Sequence, residues 1–157
     1  MTQTILDPAG AWGLYESTAR DQIRLLQHIV RPNDVLSDAS REYELALMGD
    51  VESDQAWGVS GGVLAPATVA LKNGWLPVGG GWEINSIGLV SGRFRDYLLA
   101  VLTSDDPDMA YGVDTIESIS ALVWKYFLPG RFHPATSRSD KTNHPLTMGS
   151  VCVRTPR

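Results

Sequence analysis

The sequence predicts an α+β fold, in which two helices precede three antiparallel strands and one long helix follows them. Three observations indicate this order. Apolar residues recur at helical spacing between residues 18 and 51, the period shortens to two from about Thr68, and helical spacing returns after the acidic segment SDDPD. With 157 residues, of which 43% are hydrophobic and 20% charged, the chain has the size and composition of one globular domain.

The two N-terminal helices are predicted by their caps and their apolar faces. In STARDQIRLLQHIV, Thr18 followed by Asp21 resembles a capping box, and Pro32 lies just beyond the expected end. In LSDASREYELALMGDV, Ser37 is the expected cap. The expected core faces are Ala19, Ile23, Leu26 and Val30 in the first helix and Ala39, Tyr43, Leu47 and Val51 in the second.

The three strands are predicted in VALKNGWLPV, GWEINSIGLV and RDYLLAVLTS, joined by turns at 79–81 and 91–92 that suit antiparallel hairpins. The segment DYLLAVLT is apolar on both faces, which predicts a central strand covered on each side. The last helix follows SDDPD, whose acidic residues suit a helix N-terminus, and Pro129 and Gly130 end it. Its expected apolar stripe is Val113, Ile116, Ser120, Val123 and Phe127.

Residues 130–157 differ in composition from the rest of the chain. They carry a net charge of +4 and are rich in Pro, Ser and Thr. Residues 1–129 carry a net charge of −9, which gives the chain its overall net charge of −5. Because this segment has little apolar surface to offset its ordering entropy, it is predicted to be a flexible basic tail. The acidic balance argues against a general nucleic-acid binder. No apolar run approaches the roughly 18 residues of a membrane span, and MTQTILDPAG lacks the features of a signal peptide.

Lys72 stands inside an otherwise apolar strand and is followed by Asn73 and Gly74. One interpretation is an edge strand whose lysine discourages pairing with other chains. The other is an anion-binding strand, in which the lysine supplies a positive charge, the amide donates a hydrogen bond, and the glycine lets a ligand approach without meeting a Cβ. Among the tryptophans, only Trp75 is expected near such a ligand.

Several other kinds of site are not predicted. The sequence VGGGW has neither of the usual phosphate-loop spacings and precedes a strand, so it is interpreted as a turn. The three histidines and the lone Cys152 show no metal-ligand spacing, so neither a metal nor a cofactor is expected. No serine is followed three residues later by lysine, and the sequence offers no base that can be placed beside a candidate nucleophile. We therefore predict no catalytic residue within this chain.

The order of these segments resembles the C-terminal half of a class A-like serine β-lactamase or penicillin-binding-protein superfamily hydrolase. The resemblance covers about residues 4–128 and is carried by WGLYESTARDQIRLLQHIV, LALMGDV, VALKNGWLP, GWEINSIGLV, RDYLLAVLT and AYGVDTIESIS. It implies a partial β-lactamase-like domain over 1–129, with 130–157 as a separate tail. In the family, a K-[TS]-G strand lines the active site, where the lysine and the next side chain bind the substrate carboxylate.

Carried over by that resemblance, the substrate-binding residues are Lys72, Asn73 and Gly74, with the backbone N–H of Trp75 at the oxyanion hole. Asparagine here replaces the family's hydroxyl residue, and an amide cannot relay a proton. The family's S-x-x-K nucleophile, S-D-N-like segment and deacylating glutamate lie upstream of the matched region. The resemblance therefore implies an incomplete hydrolase that is inactive alone, whose parent reaction is the hydrolysis of β-lactams or related acyl compounds. Family members are usually exported, so the localisation of this chain stays open.

The resemblance also carries an expectation about partners. In the family's five-stranded sheet, two N-terminal strands cover the last strand, so DYLLAVLT should here be an open apolar edge that invites self-association. The expected ligand is a small-molecule or peptide carboxylate. The alternative to an incomplete enzyme is a non-catalytic module, which would bind a carboxylate ligand or add its open strand to a partner.

Overall fold

The structure is a computed structural model that describes residues 15–92, 95–126 and 149–154. Its elements in chain order are α1 (Ala19–Val30), α2 (Asp38–Gly49), a short 3₁₀ helix (Ser53–Gln55), β1 (Thr68–Val78), β2 (Gly81–Gly92), β3 (Arg95–Asp106), α3 (Met109–Tyr126) and β4 (Gly149–Arg154). The predicted α+β class, with two helices before three antiparallel strands and a long helix after them, is confirmed. None of the described helices is long and apolar enough to cross a membrane.

Each of the three α-helices begins where a side-chain oxygen accepts a backbone N–H of the first turn. Thr18 Oγ1 accepts from Asp21 N at 3.2 Å, and Ser37 Oγ accepts from Ser40 N at 3.1 Å. Asp108 Oδ1 accepts from Tyr111 N at 2.8 Å. Because the first N–H groups of a helix lack carbonyl partners within it, such caps fix the start of a helix. The predicted caps of α1 and α2 are confirmed.

The sheet has the strand order β1-β2-β3-β4. The first two pairings are antiparallel, and the tight β1–β2 turn aligns Val78 with Gly81. The β3–β4 pairing is parallel. Strand β3 therefore lies inside the sheet, and residues 97–101 of it are all fully buried, which confirms the prediction of a strand covered on both faces.

Helices cover both faces of the sheet, and two apolar clusters form the core. The cluster beneath α3 contains Tyr97, Leu99, Val101 and Ile116, with Val59 from the loop before β1. The cluster beneath α1 and α2 contains Leu26, Met48, Leu98 and Ala100. Successive β3 side chains alternate between the two clusters, as the pleat of a strand requires. The two faces are called below the α3 face and the α1 face.

The predicted core face of α1 is confirmed, but that of α2 is wrong. Tyr43 and Leu47 are 67% and 51% exposed, whereas Met48 is buried and Leu45 packs against the α1-face cluster. The face that contacts the sheet therefore lies one position along the helix from the predicted one. Both faces contain apolar residues at helical spacing, and tertiary packing decides which of them is buried.

Strand β4 was not predicted. It pairs with β3 from Tyr97↔Gly149 to Leu102↔Arg154. The expectation that this edge of β3 is open is therefore wrong over these residues, because β4 supplies their backbone partners. The rest of the predicted tail at 130–157, like Phe127 of the predicted α3 stripe, lies outside the described residues. The division of the chain at residue 129 stays a prediction.

Candidate functional site

Lys72 lies on β1, the edge strand of the sheet, with its side chain exposed. Its neighbour Leu71 belongs to the α3-face cluster and Ala70 packs against the α1-face cluster. Because side chains alternate along a strand, Lys72 projects from the α1 face. Its Nζ donates a hydrogen bond to the backbone carbonyl oxygen of Asn73. The ammonium group is thus held at the edge of the sheet, within reach of a ligand in solvent.

Asn73 projects from the opposite face and is only 5% exposed. Its Nδ2 donates to the carbonyl oxygens of Gln55 and Trp57, at 2.7 and 3.1 Å. Its Oδ1 is buried, and the described residues offer that atom no hydrogen-bond partner. The amide donors of Asn73 are therefore used to hold the loop that precedes β1. The structure does not bring the Lys72 and Asn73 side chains together on one face.

Gly74 and Trp75 continue β1 beyond this pair. A Cβ at Gly74 would meet no atom within 4 Å, so the space beside this residue is open. Trp75 is 37% exposed, and its ring contacts that of Trp57 with the centroids 5.7 Å apart and the planes tilted by 59°. Trp57 is half-buried and packs against the α3-face cluster. Exposed aromatic surface and an exposed cation therefore lie three residues apart on one edge strand.

The loop of residues 55–59, called here the clamped loop, is fixed by side chains from three elements. Besides the two bonds from Asn73, Ser86 Oγ of β2 accepts from Val59 N at 3.0 Å. From α3, Ser120 Oγ donates to Val59 O at 2.8 Å and Glu117 Oε1 accepts from Gly58 N at 3.3 Å. Asn73 and Ser86 are direct cross-strand partners. Together these bonds satisfy loop backbone groups that no strand partner reaches.

Gly58 is required at the centre of the clamped loop. Its φ is +89°, a region that side chains rarely adopt, and a Cβ there would lie 2.3 Å from Ser86 Oγ. Sequence reasoning missed Gly58, Trp57 and Ser86 as neighbours of the predicted strand. The alternation of side chains could have placed Asn73 opposite Lys72, but no local signal pairs Trp57 with Trp75.

Lys72 is the charged side chain of β1, and Glu117 brings a carboxylate to the clamped loop. Tyr97 lies in the core rather than beside β1. Burial raises the pKa of Tyr97 to about 12, an effect opposed by the nearby Arg95. No group of three or more potential metal ligands lies together in the described part of the chain. The arrangement on β1 can thus attract an anion and offer it aromatic surface and backbone donors.

The sequence matches the model of a known protein family. A family model described as Beta-lactamase2, the beta-lactamase enzyme family, matches residues 7–127. The match covers about three-quarters of the chain and includes every described helix, β1 to β3, and the whole segment from Lys72 to Trp75. A search of curated proteins found no match.

Proposed function

Because the chain belongs to the beta-lactamase enzyme family, we propose that β1 is the substrate-binding strand of a β-lactamase-like serine hydrolase. The observation that carries the proposal is the exposed Lys72 on an edge strand, followed by the open space at Gly74. An edge strand has backbone donors and acceptors without strand partners on one side, so a ligand can lie along it.

Each residue of the segment has its own role in this proposal. The Lys72 ammonium binds the substrate carboxylate in a charge-assisted hydrogen bond. Gly74 leaves room for the substrate, and the backbone N–H of Trp75 stabilises the oxyanion that forms on the attacked carbonyl. Asn73 contributes by holding the clamped loop, since its amide donors are bonded to Gln55 and Trp57. This role differs from that of the family's hydroxyl residue, which contacts the substrate carboxylate.

The reaction of such an enzyme is acyl transfer to a serine, followed by hydrolysis. The serine Oγ attacks the carbonyl of a β-lactam or related acyl compound, the bond to the leaving group breaks, and water then releases the acyl group. The 157 residues contain no S-x-x-K. We therefore propose that the nucleophile comes from polypeptide outside this sequence, and that the chain alone binds substrate without being acylated.

A fluorescent penicillin tests this proposal on the isolated chain. Fluorescence anisotropy should show reversible binding that Lys72→Ala weakens, and denaturing electrophoresis should show no covalently labelled band. Lys125→Ala is the matched control, because Lys125 is an exposed cation on α3, far along the chain from β1. Covalent labelling would contradict the absence of a nucleophile. Equal binding by the wild type, Lys72→Ala and Lys125→Ala would overturn the role of Lys72.

The same absence of S-x-x-K favours a second candidate, a non-catalytic module that binds a carboxylate ligand. Mixing the chain with a separately expressed polypeptide that carries the family's S-x-x-K segment distinguishes the two. Covalent labelling of the mixture, lost with Lys72→Ala in this chain, supports the hydrolase. Lys72-dependent binding without labelling supports the module. Strand addition to a partner remains a proposal for the outer edge of β1, because β4 pairs with β3.

A further inference from the structure

Trp75 is a large aromatic side chain on an edge strand, with more than a third of its surface exposed. Its ring rests against Trp57, which itself packs on the α3-face cluster. Trp57 therefore connects the exposed ring to the core. A ring supported in this way loses little conformational entropy when a ligand stacks on it, since its position is already restricted.

The support is fixed by hydrogen bonds as well as by ring contact. Asn73 donates to the carbonyl oxygen of Trp57 itself, and the next residues of the clamped loop are bonded to β2 and α3. The residue that follows the lysine thus positions the aromatic pair. Asn73 stands where the family's motif has a hydroxyl residue, and its side chain holds Trp57 behind Trp75.

Lys72 and Trp75 lie three positions apart, or about 10 Å along an extended strand. Their side chains leave opposite faces of β1, but this strand is the edge of the sheet, so a ligand that crosses the edge can reach both. Between them, Gly74 presents no side chain and the space beside it is open. A ligand that suits this arrangement has a carboxylate at one end and a flat apolar group at the other.

We propose that Trp75, supported by Trp57, is an aromatic subsite that makes the Lys72 strand prefer carboxylate ligands bearing an aryl side chain. This inference rests on the proposed function, because it assumes that Lys72 binds the carboxylate. The stacking surface adds apolar contact and favourable ring geometry to the charge interaction. The substrate class of the site is thereby narrowed to β-lactams or related acyl compounds with an aromatic acyl group.

Two penicillins that differ only in the acyl group test the subsite: benzylpenicillin, and its analogue with an acetyl in place of the phenylacetyl group. Binding to the isolated chain is measured from the indole N–H signals in nitrogen-15 NMR spectra, with the Trp57 and Trp75 signals assigned from phenylalanine variants. We expect benzylpenicillin to bind roughly fivefold more tightly than the acetyl analogue, and to shift the Trp75 signal most.

The variants separate this inference from the proposed function. Trp75→Leu should abolish the preference for benzylpenicillin, so that the ratio of the two affinities falls to about one. Asn73→Thr should reduce the preference, because the Trp57 carbonyl oxygen loses the amide donor of Asn73. Trp124→Phe, a change on α3 outside the pair, should alter neither affinity. Lys72→Ala should weaken both ligands.

Other results would overturn either the aromatic subsite alone or the proposed function as well. If both penicillins bind equally and Lys72→Ala weakens both, the aromatic subsite is overturned and the proposed function stands. The subsite is also overturned if Trp75→Leu keeps the full preference. If neither compound binds, or if Lys72→Ala weakens neither, the proposed function fails and the subsite fails with it.

Discussion

Gly58→Ala is the substitution whose cost the structure defines most directly. The added methyl group would lie 2.3 Å from Ser86 Oγ and 2.6 Å from Ser86 Cβ. Ser86 is fully buried, so it cannot move aside into solvent. The positive φ of residue 58 adds about 1–2 kcal/mol for a residue with a Cβ, and overpacking adds about 1–3 kcal/mol. We expect the free energy of unfolding to fall by about 2–5 kcal/mol.

Gly79→Ala is the matched control for this prediction. Gly79 also has a positive φ, +60°, but a Cβ there would meet nothing within 4 Å. This variant should therefore lose only the conformational part, about 1–2 kcal/mol. Urea unfolding of the wild type and both variants, followed by tryptophan fluorescence, gives the difference between them. Equal losses for Gly58→Ala and Gly79→Ala would refute the packing of Gly58 against Ser86.

Three further predictions follow from the core and the sheet. Because Tyr97 has a raised pKa of about 12 when folded, against about 10 when unfolded, its contribution to stability should be constant with pH below 10 and fall as pH rises towards 12. Tyr97→Phe should flatten that decline in urea midpoints, and an unchanged decline would contradict it. Met48→Ala should lower the free energy of unfolding by about 2–4 kcal/mol, and Leu47→Ala by less than about 1 kcal/mol. The reverse order in urea unfolding would show that the buried face of α2 is the one predicted from the sequence. A chain that ends before β4 should self-associate through the uncovered edge of β3, as measured by sedimentation velocity, and a strictly monomeric truncated chain would argue against this.

Local signals were sufficient for most of the fold. Thr18 and Ser37 marked their helix starts because a hydroxyl that accepts from a first-turn N–H is a local interaction. The β-strands followed from their period and short turns. The buried face of α2 could not be predicted, because two apolar rows lie side by side on that helix and only the packing against the sheet selects Met48. Strand β4 depends on a distant partner and has a short apolar run within a basic segment.

The sequence predicted where the candidate site lies, but not how all of its side chains are arranged. The unusual position of Lys72 in an apolar strand identified β1, and the structure places that lysine at an exposed edge. The pairing of Trp57 with Trp75 joins residues 18 positions apart through a loop whose path depends on Ser86, Glu117 and Ser120. Those polar contacts are long-range, so the sequence near β1 carries no sign of them.

The sequence separation of the paired strands predicts the order in which they join and leave the sheet. The β1–β2 hairpin closes over residues 78 and 81, whereas the first β3–β4 pair joins residues 97 and 149. Bringing such distant residues together costs more chain entropy, and it requires α3 to be in place between the two strands. We therefore expect β4 to be the last strand to join during folding and the first to separate in native-state hydrogen exchange. A strand from another polypeptide that pairs with β3 would then have to displace β4, at the edge of the sheet opposite Lys72.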